Sequence, residues 1–406
     1  MWLFIKLTNQ PTFQTFKVSF VCEKMLLDVS QWLDAETIAI DIGTDYFGQS
    51  SELSGCRKDA VAMHDLLVQH DLVNKQDIVF MVDGKSHAGY GSDRCGVLPP
   101  TKKNILAALN FLAELSHAST KLAGFVLTFS GHGAYTRQGE EYQEDAPNGV
   151  DAATEDDKRQ EYLVPVDHSV NGMILDDDVN AVLAKIRPGV EGVALVDACH
   201  SETIFDLEYR MLAKSAKKVS FVQENAKCKV QCKLVKLSGC RDNQYSSDTQ
   251  QGGAMTGAFV QLVAQRGIDV SCADIATRIK SMLVRQGFDQ KPQICCSEQI
   301  DPASAFFGGL IAKRDARRAA QNLPVLPKKL GLFKPAKPAK PAKPAKLAKP
   351  AKPAKLAKPA KPAKPAKPAK TKKADQPDQS GQSDQSDQSD QSDQSDQSSK
   401  RVRTEK

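Results

Sequence analysis

Two short runs of this 406-residue chain end in side chains that can do chemistry. GFVLTFSGHG (124–133) closes on Ser130-Gly131-His132-Gly133, and GVALVDAC (192–199) runs into Asp197-Ala198-Cys199-His200-Ser201. If the two runs lie side by side, His132 and Cys199 meet across a cleft. Such a pair is a nucleophile and its base: the thiolate attacks an acyl carbon, the imidazole takes or holds its proton, and backbone N–H groups receive the oxyanion. Glycine on both sides of His132 lets backbone and substrate approach closely. Cys199 has three other candidate roles: a packed core thiol, a metal ligand, or half of a disulfide. No CxxC pair accompanies it, and Cys228-x3-Cys232 has no matching second half, which argues against zinc. The ten cysteines are scattered, apart from Cys295-Cys296, and make no dense framework. That reads as a reducing compartment and argues against a disulfide. Core packing stays open beside the nucleophile on these residues alone.

The elements that must hold these groups alternate in type. ETIAIDIG (36–43) is a β-branched run ending in Gly43, a buried strand feeding a loop. Residues 56–70 carry apolar side chains at helical spacing (Ala60, Met63, Leu66, Leu67), and DIVFMVD (77–83) is a second strand. Residues 84–100 form a Gly/Pro/Asp-rich loop, and Thr101 caps a helix over TKKNILAALNFLAEL. GFVLTFSGHG is the third strand, 176–186 a helix with an acidic first turn, GVALVDAC the fourth strand, and KCKVQCKLVKLSGC (227–240) the fifth. Helices over 254–265 and 272–286 and a short strand near 293–296 follow. Strands covered on both faces and alternating with helices predict an α/β fold with a mainly parallel twisted sheet and helices on both faces. In such sheets functional groups collect at the carboxyl ends of the strands, where His132 and Cys199 lie.

Composition bounds the rest. At 41% hydrophobic the chain can bury a sizeable core, and no apolar run approaches the roughly 18–20 residues of a membrane span. The start, MWLFIKLTNQ, lacks the basic region and small-residue cleavage site of a signal peptide, so cytosol or nucleus is the expected location. The net charge of +6 hides two opposite parts. Residues 334–406 carry 19 basic and 8 acidic residues, leaving 36 and 41 for residues 1–333. From Lys334 to Lys370 every third residue is lysine, spaced by Pro-Ala or Leu-Ala, and 375–399 repeat Ser-Asp-Gln. Such segments favour extended, unfolded chain. Evenly spaced cations suit nucleic-acid phosphates or another anionic surface, with sequence-blind affinity. A solubilising spacer is the other reading. The expected organisation is an N-terminal arm (1–34), a catalytic domain (35–310), a linker (311–333) and two unfolded tail segments (334–374 and 375–406).

The pieces around the two strand ends, taken in order, resemble the metacaspases, caspase-like cysteine peptidases of clan CD, family C14. They are DYFGQSSELSGCRKDA (45–60), LTFSGHG (127–133), YLVPVDHSVNGMILDDDV (162–179), ALVDACHS (194–201), LSGCRDNQYSSD (237–248) and GAMTGAF (253–259). The resemblance covers roughly residues 35–310 and implies a caspase-like fold, divided into a large part (35–209), an intersubunit segment (210–236) and a small part (237–310). It implies a cysteine endopeptidase cleaving after Arg or Lys; the alternative is a weakly active or inactive homologue acting as a scaffold, its basic tail binding nucleic acid or an anionic surface. His132 is then the base, Cys199 the nucleophile, and the Gly133 N–H part of the oxyanion hole. Asp59 and Asp197, with Cys56 and Ser130, would line an acidic pocket for the residue before the cut. A basic side chain needs a charge-assisted partner, which two carboxylates supply. The resemblance also implies a monomer, and self-cleavage after a basic residue such as Arg210, Lys214, Lys217 or Lys218.

Calcium activation follows from the same resemblance, with Asp176, Asp177 and Asp206 as ligands. Calcium prefers several hard oxygen donors. Asp176–Asp178 also read as an ordinary helix first turn, favoured by the dipole. The fourth ligand position falls on Gln160, which offers a carbonyl oxygen and no charge. Two more features depart from the family pattern. Glu202 stands where glycine is usual, and residues 134–159 form a long acidic loop. A carboxylate three residues from the nucleophile could raise the thiol pKa or alter access. The loop reads as a solvated segment or as a cleft screen.

Overall fold

The computed structural model describes residues 27–84, 88–137, 159–199, 201, 204–224, 228–239, 248–249 and 252–329. The first 26 residues, most of the acidic loop, His200, Glu202, residues 240–247 and both tail segments lie outside the described residues.

In chain order, β1 (Thr37–Gly43), α1 (Cys56–Gln69), β2 (Ile78–Val82), α2 (Lys102–Ala118) and β3 (Gly124–Ser130) come first. They are followed by β4 (Gly133–Arg137), β5 (Arg159–Leu163), the one-turn α3 (His168–Asn171), β6 (Ile174–Leu175), α4 (Asp176–Leu183) and β7 (Glu191–Asp197). The second half holds β8 (Tyr209–Ser215), β9 (Lys218–Gln223), β10 (Lys233–Ser238), β11 (Asp248–Thr249), β12 (Gly252–Gly253), α5 (Ala254–Arg266), α6 (Cys272–Arg285), β13 (Gln293–Cys296) and α7 (Gly308–Ala320).

Eight strands form the main sheet in the order β2-β1-β3-β7-β10-β13-β8-β9. The first five are mutually parallel; β13, β8 and β9 join antiparallel. Side chains alternate across a strand, and here each face feeds its own core. Ile38, Ile40, Ile42, Phe125, Leu127, Phe129, Ala194 and Val196 pack with α2 and α4 on one side. Ala39, Val126, Val193 and Leu195 pack with α1, α5 and α6 on the other. Burial on both faces is why these strands read as continuous apolar runs. The helix starts are set chemically: Thr101 Oγ1 accepts the Asn104 N–H at 3.3 Å, and Ser271 Oγ the Asp274 N–H at 3.1 Å. Each such cap stabilises its helix by about 1 kcal/mol. Gly43 ends β1 where any Cβ would lie 2.3 Å from the Cys56 carbonyl, so glycine lets the sheet meet the start of α1.

The structure departs from the sequence reading in four places. Residues 210–236, read as a connecting segment, contribute β8 and β9, a hairpin on the sheet edge, and most of β10. Met211, Val219 and Phe221 face the core while the lysines between them face outward, a half-buried alternation that looks like a charged linker when the charges alone are read. The strand read over 227–240 is confined to Lys233–Ser238; Val230 and Cys232 are buried without joining the ladder. The linker at 311–333 begins as helix α7. Its Arg314 is buried and donates to the His70 carbonyl, while Arg317 and Arg318 pair with Asp71. A small sheet, β4-β5-β6, was not anticipated at all. Of the N-terminal arm, Trp32 is fully buried edge-on to Phe111.

A buried carboxyl sits on β1. Asp41 on β1 is fully buried, and its carboxyl is pushed up to about 7, by burial first, with the Thr128 hydroxyl (2.9 Å) and His64 acting against the rise. A carboxyl whose folded pKa lies above its unfolded one binds its proton more tightly when folded. The stability this adds is full below about pH 4 and is lost as pH rises through about 7. Asp41→Asn is therefore expected to raise the melting temperature relative to the parent more at pH 8 than at pH 5. The size is at most about 4 kcal/mol. Melting curves at the two pH values check this; an equal offset at both would contradict it.

Candidate active site

The two strand ends singled out by the sequence are neighbours. β3 pairs with β7 in parallel, with Ser130 opposite Asp197. The Gly131 N–H donates to the Asp197 carbonyl at 3.3 Å, lacing the turns beyond the ladder together. A Cβ on Gly133 would lie 2.0 Å from the Cys199 carbonyl oxygen. Only glycine allows the His132 turn to press this close to the cysteine turn.

His132 is fixed from two sides. Its ring Nε2 lies 2.8 Å from the Ser51 carbonyl, and its main-chain N–H donates to Tyr46 Oη at 2.8 Å. A carbonyl only accepts, so Nε2 carries the hydrogen and Nδ1 is the basic nitrogen of the neutral ring. Tyr46 is fully buried, donates to the Val164 carbonyl at 2.7 Å and lies with its ring centroid 4.6 Å from that of His132. Its φ of 55° is in the left-handed region, a backbone cost accepted where the ring must support the histidine.

Cys199 is half-buried and is in no disulfide. Burial pushes three other thiols, Cys232, Cys272 and Cys296, up to about 12. Such groups stay protonated and inert at neutral pH.

Two carboxylates flank the pair. Asp59, in the first turn of α1, accepts from Ser130 Oγ at 2.5 Å and from the Gly253 N–H at 2.9 Å. Asp197 accepts from both the N–H and the hydroxyl of Thr256 at 2.9 Å. Both are almost fully buried. They converge on one residue: a Cβ on Gly253 would lie 2.3 Å from Asp197 Oδ2 and 2.7 Å from Asp59 Oδ2. Gly252, at φ 133°, leaves as little room beside Asp59. The start of α5 thus points its N–H groups at both acids, where a helix favours negative charge. Cys56 is buried as the first residue of α1.

A third cluster lies nearby in sequence. Oxygens of Asp176, Asp177 and Asp206 lie within 4.8 Å of one another. Gln160 Nε2 donates to Asp176 Oδ1 at 2.7 Å and to Asp177 Oδ2 at 3.3 Å, so its amide faces the same acids. Asp206 and Phe205 both have left-handed backbone, φ 44° and 87°. Asn180 of α4 holds the Phe205 carbonyl at 2.9 Å.

Comparison with known proteins gives the family. The caspase domain model of peptidase family C14 matches residues 36–303. Metacaspase-1 of Kluyveromyces lactis is 27% identical over 318 residues, covering 66% of this chain and 68% of that one. Metacaspase-1 of Plasmodium falciparum is 32% identical over 233 residues, covering 55% of this chain and 34% of that one. The chain belongs to the caspase-domain peptidases, of the metacaspase type. It is a cysteine-type endopeptidase with a caspase-like α/β fold. Among solved structures, caspase-1 of Spodoptera frugiperda covers 65% of this chain and 86% of its own at 12% identity, with a TM-score of 0.36.

The structure thus brings together the turns of His132-Gly133 and Cys199 with Asp59, Asp197 and Ser130, all named from the sequence. Sequence reasoning missed Tyr46, Ser51, Thr256 and Asn180. Tyr46 and Thr256 stood inside quoted motifs, DYFGQSS and GAMTGAF, without a role. Ser51 acts through its carbonyl, which residue type does not signal. Glu202 lies outside the described residues.

Tyr46→Phe removes one hydroxyl that serves two buried backbone groups. It is expected to lower stability by about 1–3 kcal/mol and to reduce turnover further, because His132 loses its main-chain anchor. Thermal melts and peptide hydrolysis by the same preparation check this. A variant that melts and turns over as the parent does would contradict it.

Proposed function

We propose that the chain is a calcium-dependent, self-processing endopeptidase that cuts after Arg or Lys through a His132–Cys199 dyad. The observation that carries this is the β3–β7 register, with Ser130 opposite Asp197. It sets the histidine and cysteine turns edge to edge, above two buried carboxylates that share one glycine.

The chemistry follows from the groups. His132 Nδ1 takes the thiol proton, and the Cys199 sulfur adds to the scissile carbonyl. The Gly133 N–H stabilises the oxyanion. On collapse the C–N bond breaks, and the imidazolium hands its proton to the departing amine. Water then cleaves the thioester by the reverse proton route, releasing the acid and restoring the thiol. Nε2 stays bonded to the Ser51 carbonyl throughout, a hydrogen bond that strengthens as the ring charges. Asp59 and Asp197 recognise the guanidinium or ammonium of the residue before the cut.

For self-processing, Lys214, Lys217 and Lys218 are exposed around the β8–β9 turn, whereas Arg210 is paired to Glu224 at 2.6 Å. The turn lysines are the favoured sites.

The donors around Asp206 fit calcium: three carboxylates within 4.8 Å, and an amide whose carbonyl can replace its NH2 group by rotation. Asp176, Asp177, Asp206 and Gln160 would hold it, and when bound it supplies the charge that fixes the Asp206 loop. Gln160 lacks the charge of an aspartate, which lowers affinity.

Hydrolysis of fluorogenic peptides ending in Arg, Lys or Asp, with calcium or chelator, tests the reading. Cys199→Ala should be inactive. Asp59→Asn and Asp197→Asn should each lower kcat/KM on Arg and Lys peptides about 10- to 100-fold. Gln160→Asp should tighten calcium binding in titration calorimetry about tenfold. Cleavage of Asp peptides in preference to Arg peptides, or calcium binding unaffected at position 160, would overturn the corresponding part.

A further inference from the structure

Lys236 is a fully buried lysine at the centre of the sheet, and no step above uses it. It lies on β10, opposite Ala194 of β7 on one side and Cys295 of β13 on the other. Its neighbours on the same face, Leu234, Ala194 and Cys295, belong to the apolar core shared with α2 and α4. Taking a lysine out of water is expensive, and packing alone would be served by a methionine of the same length. Its ammonium must therefore be held by specific acceptors.

The described acceptors lie in the turn that follows Cys199. Nζ donates to the Ser201 carbonyl at 3.0 Å and to the Ile204 carbonyl, and sits 5.4 Å from the centroid of the Phe205 ring. Its described residues belong to no strand or helix, and it ends in two consecutive left-handed residues, Phe205 and Asp206. Each such residue is costly unless surrounding contacts enforce it. Lys236 supplies those contacts from the sheet, and Asn180 supplies one from α4. The same turn starts at Cys199 and ends at Asp206.

We propose that Lys236 is a positioning residue: its buried ammonium, donating to the Ser201 and Ile204 carbonyls, sets the turn that carries Cys199 and so places the thiol for attack. This rests on Cys199 being the nucleophile. It does not depend on the identity of the substrate or on calcium.

Lys236→Met keeps the volume and removes the donors. The expected result is a variant that melts at or above the temperature of the parent, since an expensive buried charge is gone. Its kcat should fall at least about tenfold with KM within about twofold. Alkylation of Cys199 by iodoacetamide, followed by peptide mapping, should slow in parallel. That reaction needs no turnover, so it is read even if the peptides tried are not substrates, and a failure of the cleavage reading is told apart from a failure of this one. Parental kcat and parental alkylation of Cys199 in Lys236→Met would overturn the proposal. If Lys236→Met does not fold, Lys236→Gln retains an N–H donor and should show intermediate kcat and alkylation at near-parental melting temperature. A Lys236→Gln protein with parental kcat, or one whose activity falls only as far as its folded fraction, would overturn it equally.

Discussion

β3 and β7 lie side by side and in parallel, with Ser130 opposite Asp197, and the turns beyond them touch where Gly133 meets the Cys199 carbonyl. Every group of the site takes its place from this one register. A shift of a single residue would turn each side chain to the opposite face of the sheet. Phe125, Leu127 and Phe129 would exchange positions with Val126 and Thr128, and Asp197 would leave the carboxylate pair. The two buried cores therefore fix the chemistry indirectly: they make any other register of these strands costly.

Around that contact the acids are divided between two helix starts. Asp59 and Asp197 are held by the N–H groups of α5, while Asp176 and Asp177 open α4. Partial positive charge at the helix N-termini makes such burial tolerable. The turn from Cys199 to Asp206 then joins the two regions within eight residues, with Lys236 beneath it and Asn180 beside it. A change at the Asp176–Asp206 cluster has a short covalent path to Cys199. Gln160 is the member of that cluster peculiar in charge, and it already bridges Asp176 and Asp177.

Much of this was legible in the sequence because the parallel strands are buried on both faces and end abruptly in polar groups. TIAIDIG, GFVLTFS and GVALVD announce themselves as strands, and the caspase-type motifs follow in order. Supporting groups were harder to read. Ser51 contributes a carbonyl, and Tyr46 a hydroxyl to a main-chain amide, so neither residue type marks the role. Lys236 would be assigned to a solvent face by its charge, yet it is fully buried. The β8–β9 hairpin was read as a connector because exposed lysines cluster at its turn. Helix α7 was read as linker because it is largely polar, although Arg314 and Leu310 dock it. Charge misled the reading wherever a long cationic side chain buried its stem or its head.

The central claim is that Cys199 is the nucleophile and that the acids beside it select a basic residue before the cut. Its most direct measurement is covalent labelling with a peptidyl chloromethyl ketone ending in arginine, followed by peptide mapping. The account predicts that the label lands on Cys199, that an aspartyl reagent labels it far more slowly, and that Asp197→Asn removes the preference. Labelling of another cysteine, or equal rates with the arginyl and aspartyl reagents, would contradict it.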